Sequence, residues 1–427
     1  MAASFFSRCM YRRPRGTRDW LPEEAFRKRF VEGKLREVFE KYGYGEIITP
    51  AFESLDLLVA KAGEEVKEQI YWFKDKGGRS LGLRFELTTP VARVVAARPD
   101  MPKPIRFYYI QPVWRYEEPQ KGRYREFWQA GIELMGVSGP EGDAEVIAVT
   151  DRALRNAGLE GFEIRVSDRR IVEDILAQAG VPAERMEEAF RVLDKLEKKG
   201  REFVVDSLVN LGVKREDAES ILDSLTEGGL DISVEGESGR KGLAHLKETL
   251  DLLKEGYGVE AIVDYSIVRG LGYYTGLVFE VKVEGAGGSV AGGGRYDNLI
   301  STVGGGEIAA TGMAIGIERL LDVLGEKGVL PAYKPLQGVI IPVKSEKGLL
   351  VESIRIAEML RSAGFRCTVE YGRSLRKALE KAASVGARYA IIVGPRDLKE
   401  GRVTVRDLEE WREEKVGLEE LTRYLTA

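Results

Sequence analysis

The sequence predicts an α+β fold with a helical insertion and a separate C-terminal α/β unit. Three observations carry this. Residues 106–116 and 124–134 are rich in aromatic and β-branched side chains and flank a short loop holding Pro119, Lys121 and Gly122, the pattern of two long antiparallel strands. From Asp168 the texture changes to short charged helical segments punctuated by Gly180, Gly200, Gly212 and Gly228, which sit where helices end. After Pro331 and Pro335, strand and helix patterns alternate, as in an α/β unit with its own core. The boundaries that follow are 1–167 and 256–330 for the two parts of one domain, 168–255 for the inserted helical module, and 336–427 for the last unit.

Taken in order, residues 27–42 have helical periodicity, with Phe30, Leu35, Val38 and Phe39 at three-to-five spacing, until Gly43 and Gly45 stop it. Residues 46–52 read as a strand ending near Pro50. Residues 70–73 and 80–85 read as strands around a turn at Gly77 and Gly78. Residues 89–97 form a helix with Pro90 in its first turn. After the helical module, strands are expected at 261–268 and 276–284, then a glycine-rich stretch at 285–294, then strand and helix over 308–324. In the last unit the strands fall at 338–342, 366–370, 389–393 and 403–406. The helices fall at 349–363, with Leu350, Ile354 and Ala357 on one face, and at 375–385.

Composition narrows the function classes. With 44 % hydrophobic and 31 % charged residues the 427-residue chain has the balance of a multi-domain globular protein. A net charge of −4 advertises no global affinity for polyanions, so any phosphate site must come from local clusters of Arg and Lys. Cys9 and Cys367 are far apart, and His245 is the single histidine, so no CxxC or His cluster is available to hold a metal. His245 lies in an amphipathic helical stretch and reads as ordinary helix surface or packing. No apolar run reaches the ~18 residues of a membrane span, and residues 1–10 lack the apolar centre of a secretory signal; a cytoplasmic protein is expected.

The chemistry concentrates in residues 114–133, WRYEEPQKGRYREFWQAGIE. Arg115, Arg123 and Arg125 surround one turn, where guanidinium groups can grip phosphate oxygens bidentately. Opposed strands put alternate side chains on one face, so Arg115, Glu117, Gln129 and Glu133 can share it. This stretch resembles the second signature motif of class II aminoacyl-tRNA synthetases, in the form of the histidyl-tRNA synthetase family. Residues 311–321, TGMAIGIERLL, resemble the third motif, and the helix and strand around residues 27–52 resemble the first. VRGLGYYTGLVFE at 268–280 and AGGGRYDNL at 291–299 resemble the family's two histidine motifs; RFELTT at 84–89 completes the set. The resemblance runs from PRGTRDWLP at Pro14 through the last unit, where GRSLRKALEKAASVGARYAIIVG resembles an anticodon-binding domain.

That resemblance implies a class II catalytic domain built on an antiparallel sheet flanked by helices. It implies a ligase that activates L-histidine with ATP and loads tRNA(His), with Mg2+ accompanying the nucleotide and a homodimer as the assembly. The implied catalytic residues are Arg115 and Arg269. Arg115, Glu117, Arg123 and Arg319 are the implied ATP ligands. Glu86, Thr88 and Gln129 are implied for the α-amino group, Glu133 and Tyr274 for the imidazole, with Arg269 and Tyr273 beside them. A carboxylate and a phenol together can meet both ring nitrogens. The family usually has an acidic residue where this chain has Gly272. The alternative is a non-catalytic relative that regulates histidine biosynthesis; such chains lack the anticodon domain and lose motif residues, and this one keeps both.

Overall fold

The computed structural model describes residues 11–60, 64–118, 124–268 and 272–426. The chain divides into two compact units, Met1–Leu330 and Pro331–Ala427.

In the first unit, α1 (Pro22–Lys41) starts on Pro22, whose missing N–H is no loss in a first turn, and Glu24 accepts the Leu21 N–H at 3.1 Å. Its buried stripe is Val31, Leu35, Val38 and Phe39. Then follow β1 (Gly45–Glu46), β2 (Phe52–Ser54), α2 (Leu55–Val59), β3 (Trp72–Lys74), β4 (Ser80–Leu83) and α3 (Thr88–Ala96). The long strands β5 (Ile105–Trp114) and β6 (Glu126–Met135) lead to α4 (Pro140–Asn156) and β7 (Phe162–Asp168). Six helices come next: α5 (Arg169–Gln178), α6 (Met186–Leu193), α7 (Leu196–Lys199), α8 (Arg201–Asn210), α9 (Arg215–Glu227) and α10 (Glu237–Asp251). The unit closes with β8 (Ile262–Val263), β9 (Leu277–Val283), β10 (Ala291–Arg295), α11 (Leu299–Thr302), β11 (Ala310–Gly316) and α12 (Ile317–Glu326).

One eight-stranded sheet, ordered β1-β5-β6-β11-β10-β9-β7-β8, organises the unit, and β2-β4-β3 form a small second sheet. The five central pairings, from β5 to β7, are antiparallel; only the edges, β1 on β5 and β8 on β7, are parallel. The fold is therefore α+β, with α1, α4 and α12 packed on one core around the sheet. The helices α5–α10 occupy the span between β7 and β8.

Three segments depart from the sequence pattern. The strand read at 46–52 stops after Glu46: Ile47 makes a last bond to Tyr108 O at 2.8 Å, and beyond it the Gln111 side chain replaces the ladder, donating to Ile47 O at 2.8 Å and accepting the Thr49 N–H at 3.3 Å. The strand read at 261–268 is only Ile262–Val263, since Asp264 turns the chain by accepting the Ser266 N–H at 3.1 Å. The glycines at 292–294 lie inside the buried strand β10 rather than in a loop.

The second unit is β12 (Gly338–Pro342), α13 (Lys347–Ser362), β13 (Cys367–Val369), α14 (Leu375–Ser384), β14 (Tyr389–Val393), α15 (Pro395–Lys399), β15 (Arg402–Asp407), β16 (Arg412–Gly417) and α16 (Leu418–Thr426). Its sheet runs β13-β12-β14-β15-β16, parallel across the first three strands. Ile340 points to a core with α13 and α16, and Val339 and Ile341 to one with Ala378 and Ala382 of α14. The stripe of α13 is Leu349, Ser353, Ile356, Ala357 and Leu360; Ile354 is exposed, one position off the expected face.

The irregular chain at 49–50 is held by Arg84, buried, whose Nη1 donates to Thr49 O at 2.6 Å and Pro50 O at 2.8 Å while Nε donates to Pro112 O at 3.0 Å. Burial pulls this guanidinium down to about 10, still charged at neutral pH. Replacing Arg84 with Met orphans three carbonyls, each worth ~1–3 kcal/mol if left dry, so the unfolding free energy should fall by more than ~2 kcal/mol. Urea unfolding measures this, and a loss below about 0.5 kcal/mol would mean that water replaces the clamp.

Candidate active site

Antiparallel partners share a face, so the registers define one surface. Glu133 lies opposite Phe107 and Gly312, and Gln129 opposite Gln111 and Gly316. Arg115 continues β5 in the same alternation, its N–H bonding Arg125 O at 2.9 Å. Arg115, Gln129 and Glu133 are thus on one face, with Glu133 and Gln129 four residues, or ~13 Å, apart along the strand. Between them on this face lies Gly131, flanked by Tyr109 of β5 and Ala314 of β11. A Cβ at Gly131 would lie 2.5 Å from the Tyr109 hydroxyl, and one at Gly312 would lie 1.8 Å from Glu133 Oε2.

At one end Glu133 is 1 % exposed. Its Oε1 accepts the hydroxyls of Thr88 at 2.8 Å and Tyr109 at 3.0 Å, and its Oε2 accepts that of Tyr296. Burial pushes the carboxyl up to about 8, against the three hydroxyls that favour its charged form, with Glu86 nearby adding to the rise. Glu86 is also buried and raised by its burial; both its oxygens lie 3.1 Å from the Thr89 N–H at the start of α3, and Arg115 is close enough to favour its charge. Tyr273 and Tyr274, both buried, pack with ring centres 4.9 Å apart and planes tilted by 57°, and Tyr273 meets Tyr296 edge-on at 5.8 Å. Tyr273 lies near Glu86, Glu133 and Thr88, and burial raises its phenol well above the ordinary range. Tyr274 packs over Gly294, where a Cβ would come within 3.0 Å of its ring.

At the other end, Arg115 Nε donates to Phe85 O at 2.9 Å and its guanidinium lies 5.1 Å from the Phe127 ring centre. Glu117, half-buried beyond β5, offers its carbonyl to Arg125 Nε at 2.9 Å. The half-buried Gln129 has its Oε1 buried with no hydrogen-bond partner among the described residues, an acceptor that is costly to leave dry. Arg319 leaves the first turn of α12, three residues past Gly316 and so on the Gln129 side, and donates to Ser289 O at 2.5 Å. Its neighbour Glu318 is buried, accepts the Trp128 N–H at 2.9 Å and is raised by burial to about 7. Arg123 and Arg269 lie outside the described residues, as does the loop from Pro119 to Gly122. Gly272 is exposed, next to buried Tyr273.

The structure thus gathers Glu86, Thr88, Glu133 and Tyr273 into one polar cluster with Tyr274 packed against it, and sets Arg115 and Gln129 further along the same face. Tyr109 and Tyr296 escaped sequence reasoning. Tyr109 alternates with Gln111 in β5, but only the β5–β6 register shows that its hydroxyl reaches Glu133. Tyr296 stands in AGGGRYDNL, where it follows the arginine. Among the described residues no group of three or more His, Cys, Asp or Glu could hold a metal ion. No described helix is long and apolar enough to cross a membrane.

Comparison with known proteins finds that the family described as histidyl-tRNA synthetase matches residues 16–320 and that described as anticodon binding domain matches residues 337–427. The chain is 42 % identical to a histidine–tRNA ligase of Thermococcus kodakarensis, over 95 % of this chain and 96 % of that one. It is 39 % identical to a histidine–tRNA ligase of Methanocaldococcus jannaschii, over 97 % and 99 %. A solved histidyl-tRNA synthetase from Nostoc superposes with a TM-score of 0.81 at 25 % identity, covering 97 % of this chain and 99 % of that one.

The raised carboxyl at Glu133 makes stability depend on pH. A glutamate with the ordinary value of 4.5 in the unfolded chain titrates at about 8 in the folded one. Between those values the folded state holds a proton that the unfolded state has lost, so stability falls as pH rises through the window. Glu133→Gln carries no such proton, and its urea midpoint should decline less between about pH 5 and pH 8 than that of the parent chain. Parallel declines would show that Glu133 does not titrate in this window.

Proposed function

The chain belongs to the histidyl-tRNA synthetase family, and we propose from that premise that it is a histidine–tRNA ligase, joining L-histidine to the 3′ end of tRNA(His) at the expense of ATP. The observation that carries this is the single sheet face with a buried, hydroxyl-ringed carboxylate at one end and an arginine at the other.

In the first step a carboxylate oxygen of histidine attacks the α-phosphorus of ATP, the bond to the β-phosphate oxygen breaks, and pyrophosphate leaves. Arg115 and Arg269 flank that phosphorus and stabilise the charge that builds on its oxygens. Arg123 and Arg319 hold the outer phosphates, and Glu117 accepts from the adenine amine. Glu86, Thr88 and Gln129 take the α-amino group, which suits the unpartnered Gln129 Oε1. Glu133 and Tyr274 take the imidazole, with the Tyr273 ring packed against those of Tyr274 and Tyr296. In the second step a terminal ribose hydroxyl of the tRNA attacks the activated carbonyl and AMP leaves. Magnesium, where bound with the nucleotide, would supply charge neutralisation at the phosphates beside Arg319. The protein's contribution is position and charge rather than covalent chemistry.

Unit 2 carries the tRNA-reading role, with Arg373, Arg376 and Lys377 as candidates for backbone contacts. Its presence, together with Arg115, Glu86 and Glu133, favours the ligase over a regulatory relative. The exposed Ile48, Phe52, Trp72 and Phe73, around the small sheet, suit burial against a second copy in a homodimer. The setting of the reaction is the cytoplasm.

ATP–pyrophosphate exchange with each amino acid in turn tests the reading, and histidine alone should support it. Arg115→Ala should lower the histidine-dependent exchange by ~100-fold or more while the fold survives, since the lost interaction belongs to the transition state. Near-normal exchange at saturating ATP would remove Arg115 from that role. Ending the chain at Leu330 should leave exchange but cut tRNA charging by ~10-fold or more, because RNA affinity comes from phosphate contacts spread over a large surface. Undiminished charging by the folded truncated chain would remove unit 2 from tRNA binding.

A further inference from the structure

His245, the single histidine, stands on α10 of the helical module and is not mere helix surface. Its Nε2 lies 2.6 Å from Oδ2 of Asp143 on α4, a carboxylate 1 % exposed. The same oxygen accepts Arg295 Nε at 2.9 Å. The rest of the Arg295 guanidinium is spent on Val137 O at 3.1 Å, Asp297 Oδ1 at 3.2 Å and Gly139 O at 3.0 Å. Burial alone would push the Asp143 carboxyl up; His245 and Arg295 offset it and hold it below the ordinary range. The cluster is closed by Asp168 and Arg170, which pair with each other against Gly242 of α10. Three aspartates face two arginines there, so a donor from the module completes the set.

The network reaches the polar pocket by two short routes. Arg295 is followed by Tyr296, whose hydroxyl bonds Glu133, and Tyr296 N–H is fixed to Ala310 O at 2.8 Å. Asp297 accepts the Ala310 N–H at 2.9 Å and gives its own N–H to Thr275 Oγ1 at 3.0 Å, while Thr275 N–H bonds Arg295 O at 2.8 Å. Thr275 directly follows Tyr273 and Tyr274. A shift of Arg295 therefore moves both tyrosine-bearing segments. Asp143 Oδ1 is buried with no hydrogen-bond partner among the described residues, so the charge of this carboxylate rests on what Oδ2 accepts, and His245 shares that oxygen with Arg295.

We infer that His245 is a positioning residue for the amino-acid pocket, acting through Asp143 and Arg295 on Tyr296 and on the Tyr273–Thr275 turn, so that seating of the helical module sets the affinity for the amino acid. The inference rests on the histidine-ligase reading for the identity of that amino acid. Its test is ATP–pyrophosphate exchange in the full chain with His245→Leu, His245→Asn, too short to reach, and His245→Gln, whose amide can still donate to Asp143.

Leu and Asn should raise the KM for histidine by about tenfold, one hydrogen bond's worth, with the KM for ATP within about twofold and Gln restoring most of the loss. Amide hydrogen exchange, read without reference to catalysis, should quicken at 273–275 and 291–297 in the Leu and Asn variants while α10 keeps its protection. An unchanged histidine KM, equal rises for histidine and ATP, or no rescue by Gln would overturn the inference. A parent chain that exchanges with another amino acid instead would refute the ligase reading alone, and the hydrogen-exchange pattern would still decide the coupling.

Discussion

Burying the carboxylate of Glu133 in the middle of an eight-stranded sheet is the demand from which most of the site follows. A dry carboxylate is tolerated only when donors surround it. Here the donors come from three distant places: Thr88 at the start of α3, Tyr109 on β5 and Tyr296 after β10. Those three elements must dock together before the group is satisfied, so the pocket exists only in the completed fold. The neighbouring strand must also make way. Gly312 is fixed by contact rather than by backbone freedom, because a methyl there would overlap Glu133 Oε2.

The same demand divides the face by function. Three hydroxyls are too weak to keep the carboxyl at its ordinary value, and it stays raised at about 8. On the proposed reading, a ligand N–H arriving beside it would supply the donor that stabilises its charge, coupling recognition to ionisation at that end. At the Arg115 end the chemistry is reversed. A guanidinium anchored on Phe85 O and laid against Phe127 is a fixed positive group that needs no proton to act. Between the two ends, Gly131 and Gly312 leave room on the sheet for the Tyr109 ring and for the Glu133 carboxyl to lie across their neighbours.

How much of this was legible depended on whether a feature is local. The paired strands β5 and β6, the helices of the insertion and the alternation of unit 2 announce themselves because period and punctuation are properties of neighbouring residues. Arg115, Gln129 and Glu133 share a face by parity alone, which the sequence also shows. The strand at 46–52 is shorter than its pattern because the Gln111 side chain takes the backbone groups of Ile47 and Thr49, and the glycines of β10 give no strand pattern because that strand is held by neighbours on both sides rather than by its own side chains. Helix α4 gives no stripe that stands out, being buried nearly all round, whereas β7 does alternate, Phe162, Ile164 and Val166 against Glu163 and Arg165, but is short. Tyr109 and Tyr296 stayed hidden for a different reason: their roles are set by register and by contacts 24 and 163 residues away in the chain.

Two arginines illustrate what such long-range contacts accomplish. Arg84 and Arg295 are both buried, and both donate to backbone carbonyls, Arg84 to three and Arg295 to two beside its two aspartates. Each holds a stretch of chain that has no ladder to hold it: the turn after β1 in one case, the 137–139 connection into α4 in the other. A planar group with five donors can pin several carbonyls at once and cannot lose its charge near neutral pH, which a lysine in the same place does less well. The face that carries Arg115, Gln129 and Glu133 is regular sheet and needs no such help. The pieces that bring Glu86, Thr88 and Tyr296 up to it are loops and helix starts, and their precision is inherited from these carbonyl clamps. That separation explains why the residues nearest the chemistry are readable as motif while those that position them are visible only in three dimensions.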